Sequence, residues 1–236
     1  MTEFIAECAT AHGGDLDIAA DLVRAAADSG ATWVKFQTYD LAKLNPADPQ
    51  AAWLKQAHLD KADHELLMAL CEQVGIRFLS TPFDAGSLQL LRDLGLTTFK
   101  IASSESAQPW WRTGVNGHEH WLISYPWGRP SHAPCLPQGT YTYLSAIPLY
   151  PTPLECVGRV PLLDGLSDHC EGIAACQYAI AQGARVVEAH LCLPGRSREM
   201  KWDKSPAQLR QLREFAEACE TMRSGVSTTF RRRWSA

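Results

Sequence analysis

Two histidines end two short apolar runs in this chain, Gly165-Leu-Ser-Asp-His169 and Arg185-Val-Val-Glu-Ala-His190. Imidazole is the commonest side-chain ligand for metals, so two of them at strand ends could share one divalent cation. The alternative is two separate histidines, each bonded to nearby backbone. Two lysines stand in comparable settings, Lys35 inside Trp33-Val-Lys-Phe-Gln-Thr38 and Lys100 inside Thr98-Phe-Lys-Ile-Ala-Ser103. A buried unpaired ammonium is costly, so each lysine needs a partner. That partner is either a carboxylate, Glu7 or Glu105, or an anionic ligand held jointly with the hydroxyls of Thr81, Ser103 and Ser124. Gathered on one rim, these groups point to a phosphorylated substrate beside a metal acting as Lewis acid.

The elements that must position them alternate. Phe4 to Ala9 reads as a buried strand, followed by a helix with Ile18, Leu22, Val23 and Ala26 on one face, capped by Asp15 or Asp17 and ended by Gly30. Trp33 to Thr38 is a second strand. Leu41 to Ala62 has weak periodicity and is too long for an ordinary joint, so it reads as a functional loop or lid. Asp63 is expected to cap a helix through Val74, and strands at Arg77–Thr81 and Thr98–Ser103 flank a helix from Ser87 to Leu94. Further strands are expected at Trp121–Ser124, Tyr141–Ile147, Leu163–Ser167 and Arg185–Leu191. The stretch from Tyr125 to Gly139 shows no convincing helix, and Leu154 to Leu163 holds one helical turn at most. Gly172–Gln182 and Pro206–Met222 are helical. Eight strands with fewer clear helices between them predict a single TIM-type (β/α)8 barrel over residues 1–236, its fifth and sixth helices shortened or missing. Residues 224–236, with Arg231 to Arg233, read as a flexible basic tail. In such a barrel ligands sit beyond the carboxyl ends of the strands, which is where Glu7, Gln37, Tyr150, Ser167 and the residues above fall.

Composition narrows the classes. At 236 residues and 46% apolar content the chain can bury one large core, and a net charge of -4 argues against a nucleic-acid surface. No run approaches the roughly 20 apolar residues of a membrane span, and Met1 to Ile5 lacks the pattern of a signal peptide. Eight scattered cysteines without a CxxC pair read as reduced thiols of a cytoplasmic protein. Thinned helices would leave apolar strand surface that favours a homodimer.

At these residues the chain resembles the sialic acid synthase family. Ile5-Ala-Glu7 with His12-Gly13, Val34-Lys-Phe-Gln-Thr38, Ser80-Thr-Pro-Phe-Asp84, Lys100-Ile-Ala-Ser103, Tyr150-Pro-Thr-Pro153, Gly165-Leu-Ser-Asp-His169 and Glu188-Ala-His190 follow the family's motifs in order. The resemblance implies condensation of phosphoenolpyruvate with an open-chain aldose such as N-acetylmannosamine, giving a nonulosonic or related 3-deoxy-keto acid and phosphate. It implies that His169 and His190 bind manganese, with magnesium or cobalt as alternatives. Lys35, Thr81, Lys100, Ser103, Ser124 and Ser167 match phosphoenolpyruvate-binding positions, and Glu7, Gln37, Glu105 and Tyr150 match polar positions around the reacting sugar and water.

The chain also departs from the family. Ala11 and Pro148 stand where asparagine is usual, Ser124-Tyr125-Pro126 where Ser-Thr-Gly is usual, and Ser197-Arg-Glu-Met200 where Gly-Pro-Asp-His is usual. Glu199 or Asp203 is then the substitute for the sugar-binding aspartate. The family's small C-terminal antifreeze-like domain is expected to be lacking. The phosphoenolpyruvate and metal half therefore reads as kept and the sugar half as altered. Two other readings stay open: a metal-dependent barrel aldolase or lyase with a different substrate, and a catalytically silent subunit of a glycan-biosynthesis complex.

Overall fold

The computed structural model describes residues 1–112, 115–128 and 140–228. Eight strands, β1 (Glu3–Ala9), β2 (Trp33–Thr38), β3 (Arg77–Pro82), β4 (Thr98–Ile101), β5 (His120–Pro126), β6 (Thr140–Ala146), β7 (Gly165–Asp168) and β8 (Val186–His190), form one sheet. Its order is β3-β2-β1-β8-β7-β6-β5-β4. Every ladder is parallel. β3 and β4 lie against each other across the one seam where no ladder is formed among the described residues. The sheet is thus a nearly closed barrel, as the alternation predicts.

Helices α1 (Leu16–Asp28), α2 (Ala51–Gln56), α3 (Lys61–Val74), α4 (Ala85–Asp93), α5 (Leu154–Val157), α6 (Ala174–Ala181) and α7 (Pro206–Thr228) complete the chain. Asp15 caps α1 by accepting from Asp17 and Ile18 backbone N–H groups. For α3 the cap is Asp60 rather than the expected Asp63. The two carboxylates form a reciprocal capping box, with Asp63 as its inner member. The stretch after β2 that reads as a functional loop or lid carries a 3-10 turn at Leu41–Lys43 and α2.

The thinning of the helical layer begins one unit earlier than the sequence suggests. After β4 the described residues hold only a 3-10 turn, Trp110–Arg112. Bulk replaces helix there: Trp111 is fully buried and packs at 5.7 Å on Trp121, within a cluster including Phe99, Ile123 and Tyr125. After β6 the single turn α5 matches expectation. Most of the Tyr125–Gly139 stretch, and the tail beyond Thr228, lie outside the described residues.

Alternation along the strands divides the barrel interior into layers. The lower layer is apolar: Ile5, Trp33, Leu79, Leu122, Leu144 and Val186. Two residues further along β1, β2 and β8 come Glu7, Lys35 and Glu188, so the same periodicity that plugs the floor lifts charges above it. Gly165 belongs to the crowded zone. A Cβ there would run into the Val186 carbonyl oxygen and stand 2.8 Å from Leu144 Cδ2. Gly165→Ala is therefore expected to destabilise the barrel by about 1–3 kcal/mol through overpacking, read as a lower midpoint in urea unfolding.

Candidate active site

A cavity of about 420 Å³ opens beyond the carboxyl ends of the strands. Its floor is a buried cluster of two ammoniums and two carboxylates. Lys35 is 3% exposed and Lys100 2%. Lys35 Nζ pairs with Glu7 Oε2 and donates to Thr81 Oγ1 at 2.8 Å. Lys100 Nζ donates to Ser124 Oγ at 2.9 Å and to the Ile101 carbonyl at 3.2 Å. Between the lysines lies Glu188, with Lys35 Nζ 3.6 Å from Oε2 and Lys100 Nζ 3.4 Å from Oε1. Ser167 Oγ donates to Glu188 Oε1 at 2.7 Å. The sequence left open whether the lysines meet carboxylates or an anion. In the structure they meet Glu7 and Glu188, not Glu105, and they also line the cavity.

The electrostatics separate the two carboxylates. Burial pushes the Glu7 carboxyl up, and Lys35 only partly offsets it. Burial acts on Glu188 too, but Lys100 and Lys35 outweigh it and hold Glu188 at about 2. Burial works against the Lys35 ammonium, yet Glu188 and Glu7 overcome it and keep Lys35 above the ordinary lysine range. Lys100 fares differently: burial, with repulsion from Lys35, brings it down to about 8 despite Glu188. Two titratable groups whose surroundings drive them apart are the usual signature of assigned acid and base roles.

The strand ends supply the rim. Gln37, Ser103, Tyr150, His169 and His190 all line the same cavity. The imidazoles of His169 and His190 lie side by side, with ring centroids 5.3 Å apart. Tyr150 covers His169 at 4.3 Å, and Trp202 stands edge-on to both Tyr150 and His190. Burial holds His169 at about 4 and His190 well below its ordinary value, so both rings are neutral at pH 7. Buried His169 Nδ1 has no hydrogen-bond partner among the described residues. Asp203 Oδ1 lies 3.9 Å from His190 Nδ1. Among the described residues no group of three or more His, Cys, Asp or Glu forms a metal-sized cluster.

Eleven of the twelve residues singled out in the sequence thus share one cavity. Glu105 stands apart: its Oε2 accepts from the Trp110 indole at 3.0 Å, and its carbonyl accepts from the Trp111 indole at 3.0 Å. Glu188 was visible as a strand-end acid but carried no assigned role. Its signal was period two, which puts it on the same barrel face as His190. Asp168 faces the other way and pairs with Lys204 at 3.0 Å.

With the geometry in place, known proteins can be set beside it. Residues 22–109 and 146–228 match the NeuB family. The chain belongs to the NeuB family. It is 31% identical, over 81% of its length and 68% of the relative's, to the N,N'-diacetyllegionaminic acid synthase of Campylobacter jejuni. It is 28% identical to human N-acetylneuraminate-9-phosphate synthase, over 80% of this chain and 61% of that one. Among solved structures, an N-acetylneuraminic acid synthetase from Leptospira borgpetersenii superposes with a TM-score of 0.81 at 24% identity, over 94% of this chain and 84% of that one. The Bacillus subtilis spore coat polysaccharide biosynthesis protein spsE gives 0.78 at 25% identity, over 97% and 71%.

The NeuB relatives make the departures worth placing. Pro126 and Pro148 line the main cavity. Ala11, Arg198, Met200 and Asp203 line a smaller annex of about 140 Å³, which shares Gln37 and His190 with the main cavity. Glu199 is engaged elsewhere, accepting from the Gly195 N–H at 2.6 Å. Among the described residues no helix is long and apolar enough to cross a membrane.

Proposed function

We propose that this cavity condenses phosphoenolpyruvate with an open-chain amino sugar, releasing phosphate and a nonulosonic acid. The observation that carries the reading is the pair of buried lysines flanking Glu188 at the foot of a cavity whose rim holds two neutral imidazoles. The names of the relatives, synthases of legionaminic, pseudaminic and N-acetylneuraminic acids, support the product class.

An arriving phosphate has to compete for ammonium hydrogens. The Lys–Glu188 separations of 3.4 and 3.6 Å are long for charge-assisted bonds, whose usual range is about 2.7–2.9 Å. Those are the contacts an anion displaces, while Thr81 and Ser124 keep both ammoniums aimed. Ser103 and Ser167 extend the hydroxyl lining around the same anion. The enol carbon of phosphoenolpyruvate bonds to the aldehyde carbon. Water adds at the neighbouring carbon, the carbon–oxygen bond breaks, and phosphate leaves with the charge the lysines neutralise. Glu7, pushed upward by burial, is the carboxyl suited to moving a proton, whereas Glu188 remains ionised. Gln37 and Tyr150 position the sugar at the rim. A divalent cation, manganese in this reading, would be held by His169 and His190 and would polarise the aldehyde oxygen. The donor set suits it: two adjacent neutral imidazoles, one with an unpartnered ring nitrogen, leave positions open for water or substrate.

The deciding experiment is phosphate release from phosphoenolpyruvate, with manganese, across a panel of amino sugars, with mass spectrometry of the product. Phosphate release that is independent of every aldose would end the reading. A pH titration adds a second check. Lys100 is charged below about 8 and neutral above it. Above pH 7 phosphoenolpyruvate keeps a constant charge, since a phosphate's second pKa is about 6. Phosphoenolpyruvate affinity is therefore expected to be flat from pH 7 to 8 and to fall about tenfold per unit beyond. Lys100→Arg, charged throughout, should flatten that limb.

A further inference from the structure

The annex off the main cavity contains a cation, Arg198, that makes no ion pair among the described residues. Arg198 lies half-buried on its wall, with its guanidinium 4.4 Å from the centroid of the Trp53 ring. Trp53 is itself pinned. Its indole N–H donates to Thr10 Oγ1 at 3.0 Å, and its ring occupies the space beside Gly13, where a Cβ would stand 2.8 Å from Trp53 Cη2. The Arg198 backbone N–H donates to the Ala11 carbonyl at 2.9 Å. The guanidinium is thus held at both its backbone and its face.

The acids around it are committed elsewhere. Glu199 accepts from Gly195 N–H, and Asp203, which feels the Arg198 charge through space without pairing with it, accepts from Met200 N–H at 2.8 Å with its other oxygen toward His190. Among the described residues Arg198 makes no ion pair. A stacked guanidinium presents a fixed planar fork, which suits bidentate contact with a phosphate or carboxylate. Gln37 and His190 border both spaces, so the annex adjoins the place where a molecule would react above the two lysines.

Resting on the condensation reading above, we propose that Arg198 is a specificity residue that binds an oxyanion on the distal end of the acceptor. The preferred aldose then carries a phosphate or a carboxylate.

The test uses three probes: an N-acylhexosamine, its 6-phosphate, and a hexuronic acid. Binding of each to the full chain is measured by calorimetry without phosphoenolpyruvate, and phosphate release is measured with it. The acidic probes are expected to bind at least tenfold more tightly than the neutral one, and R198Q should bring that ratio to about one. R198K should keep part of the preference. An unaltered melting temperature for R198Q separates loss of recognition from loss of fold. If the 6-phosphate outperforms the uronate, the oxyanion is a phosphate; the reverse order makes it a carboxylate. Equal binding of neutral and acidic probes, or a ratio that R198Q leaves intact, overturns the proposal. A preference in binding that survives while no probe supports phosphate release sustains Arg198's role and removes the condensation reading. Release with the neutral sugar alone, indifferent to R198Q, does the opposite.

Discussion

Lys204→Met is expected to destabilise the barrel by about 3–5 kcal/mol, the cost of leaving one partner of a buried ion pair behind. Lys204 is 0% exposed and Asp168 2%. The ammonium reaches Asp168 Oδ2 at 3.0 Å, the Cys170 carbonyl at 2.7 Å and the Trp202 carbonyl at 2.8 Å. Asp168 in turn accepts from Cys170 N–H at 2.9 Å and from the Cys176 thiol at 3.1 Å. Without Lys204, a buried carboxylate keeps weaker, uncharged donors but loses its counter-ion, and two carbonyls lose a charged partner. The double variant Lys204→Met with Asp168→Leu removes both charges and should recover most of the loss. Urea unfolding of the wild type, the single and the double variant makes the comparison. Equal stability of all three would show that the pair contributes nothing. The knot also matters for the site, because Asp168 precedes His169 and the Trp202 carbonyl lies on the segment that carries Trp202 and Asp203 to the rim.

Lys100→Met is expected to reduce kcat/KM for phosphate release by about 10²–10³, the range for removing one preorganised donor from a developing anion. Glu188 would still face Lys35 and accept from Ser167, so the barrel should stay folded. That distinguishes this change from one at Lys35, which also faces Glu7 and whose loss leaves two carboxylates with less compensation. Steady-state kinetics together with an unfolding curve of Lys100→Met read the two effects separately. A variant that folds and turns over at the wild-type rate would remove the lysine from the chemistry.

Much of the architecture could be read from the chain alone. Strand periodicity located all eight strands, and the short joints of the first half announced a parallel barrel. Period two also puts Glu7, Lys35, Ser124 and Glu188 on the inward face, since a residue two places beyond an apolar floor residue shares its direction. The motifs identified the family, whose match spans residues 22–109 and 146–228.

What the sequence could not supply was distance between elements. Whether Lys35 met Glu7, Glu105 or an anion depended on barrel closure, which brings β8 beside β1 and sets Glu188 between the two lysines. Glu105 fell out of the cluster because Trp110 claims its carboxylate, a local contact in a stretch without periodicity. Lys204 and Arg198 lie in the connection between β8 and α7, where no repeat says which way a side chain points. Periodicity is a property of neighbours along the chain and fixes facing. Pairing is a property of neighbours in space, and only the folded barrel decides it.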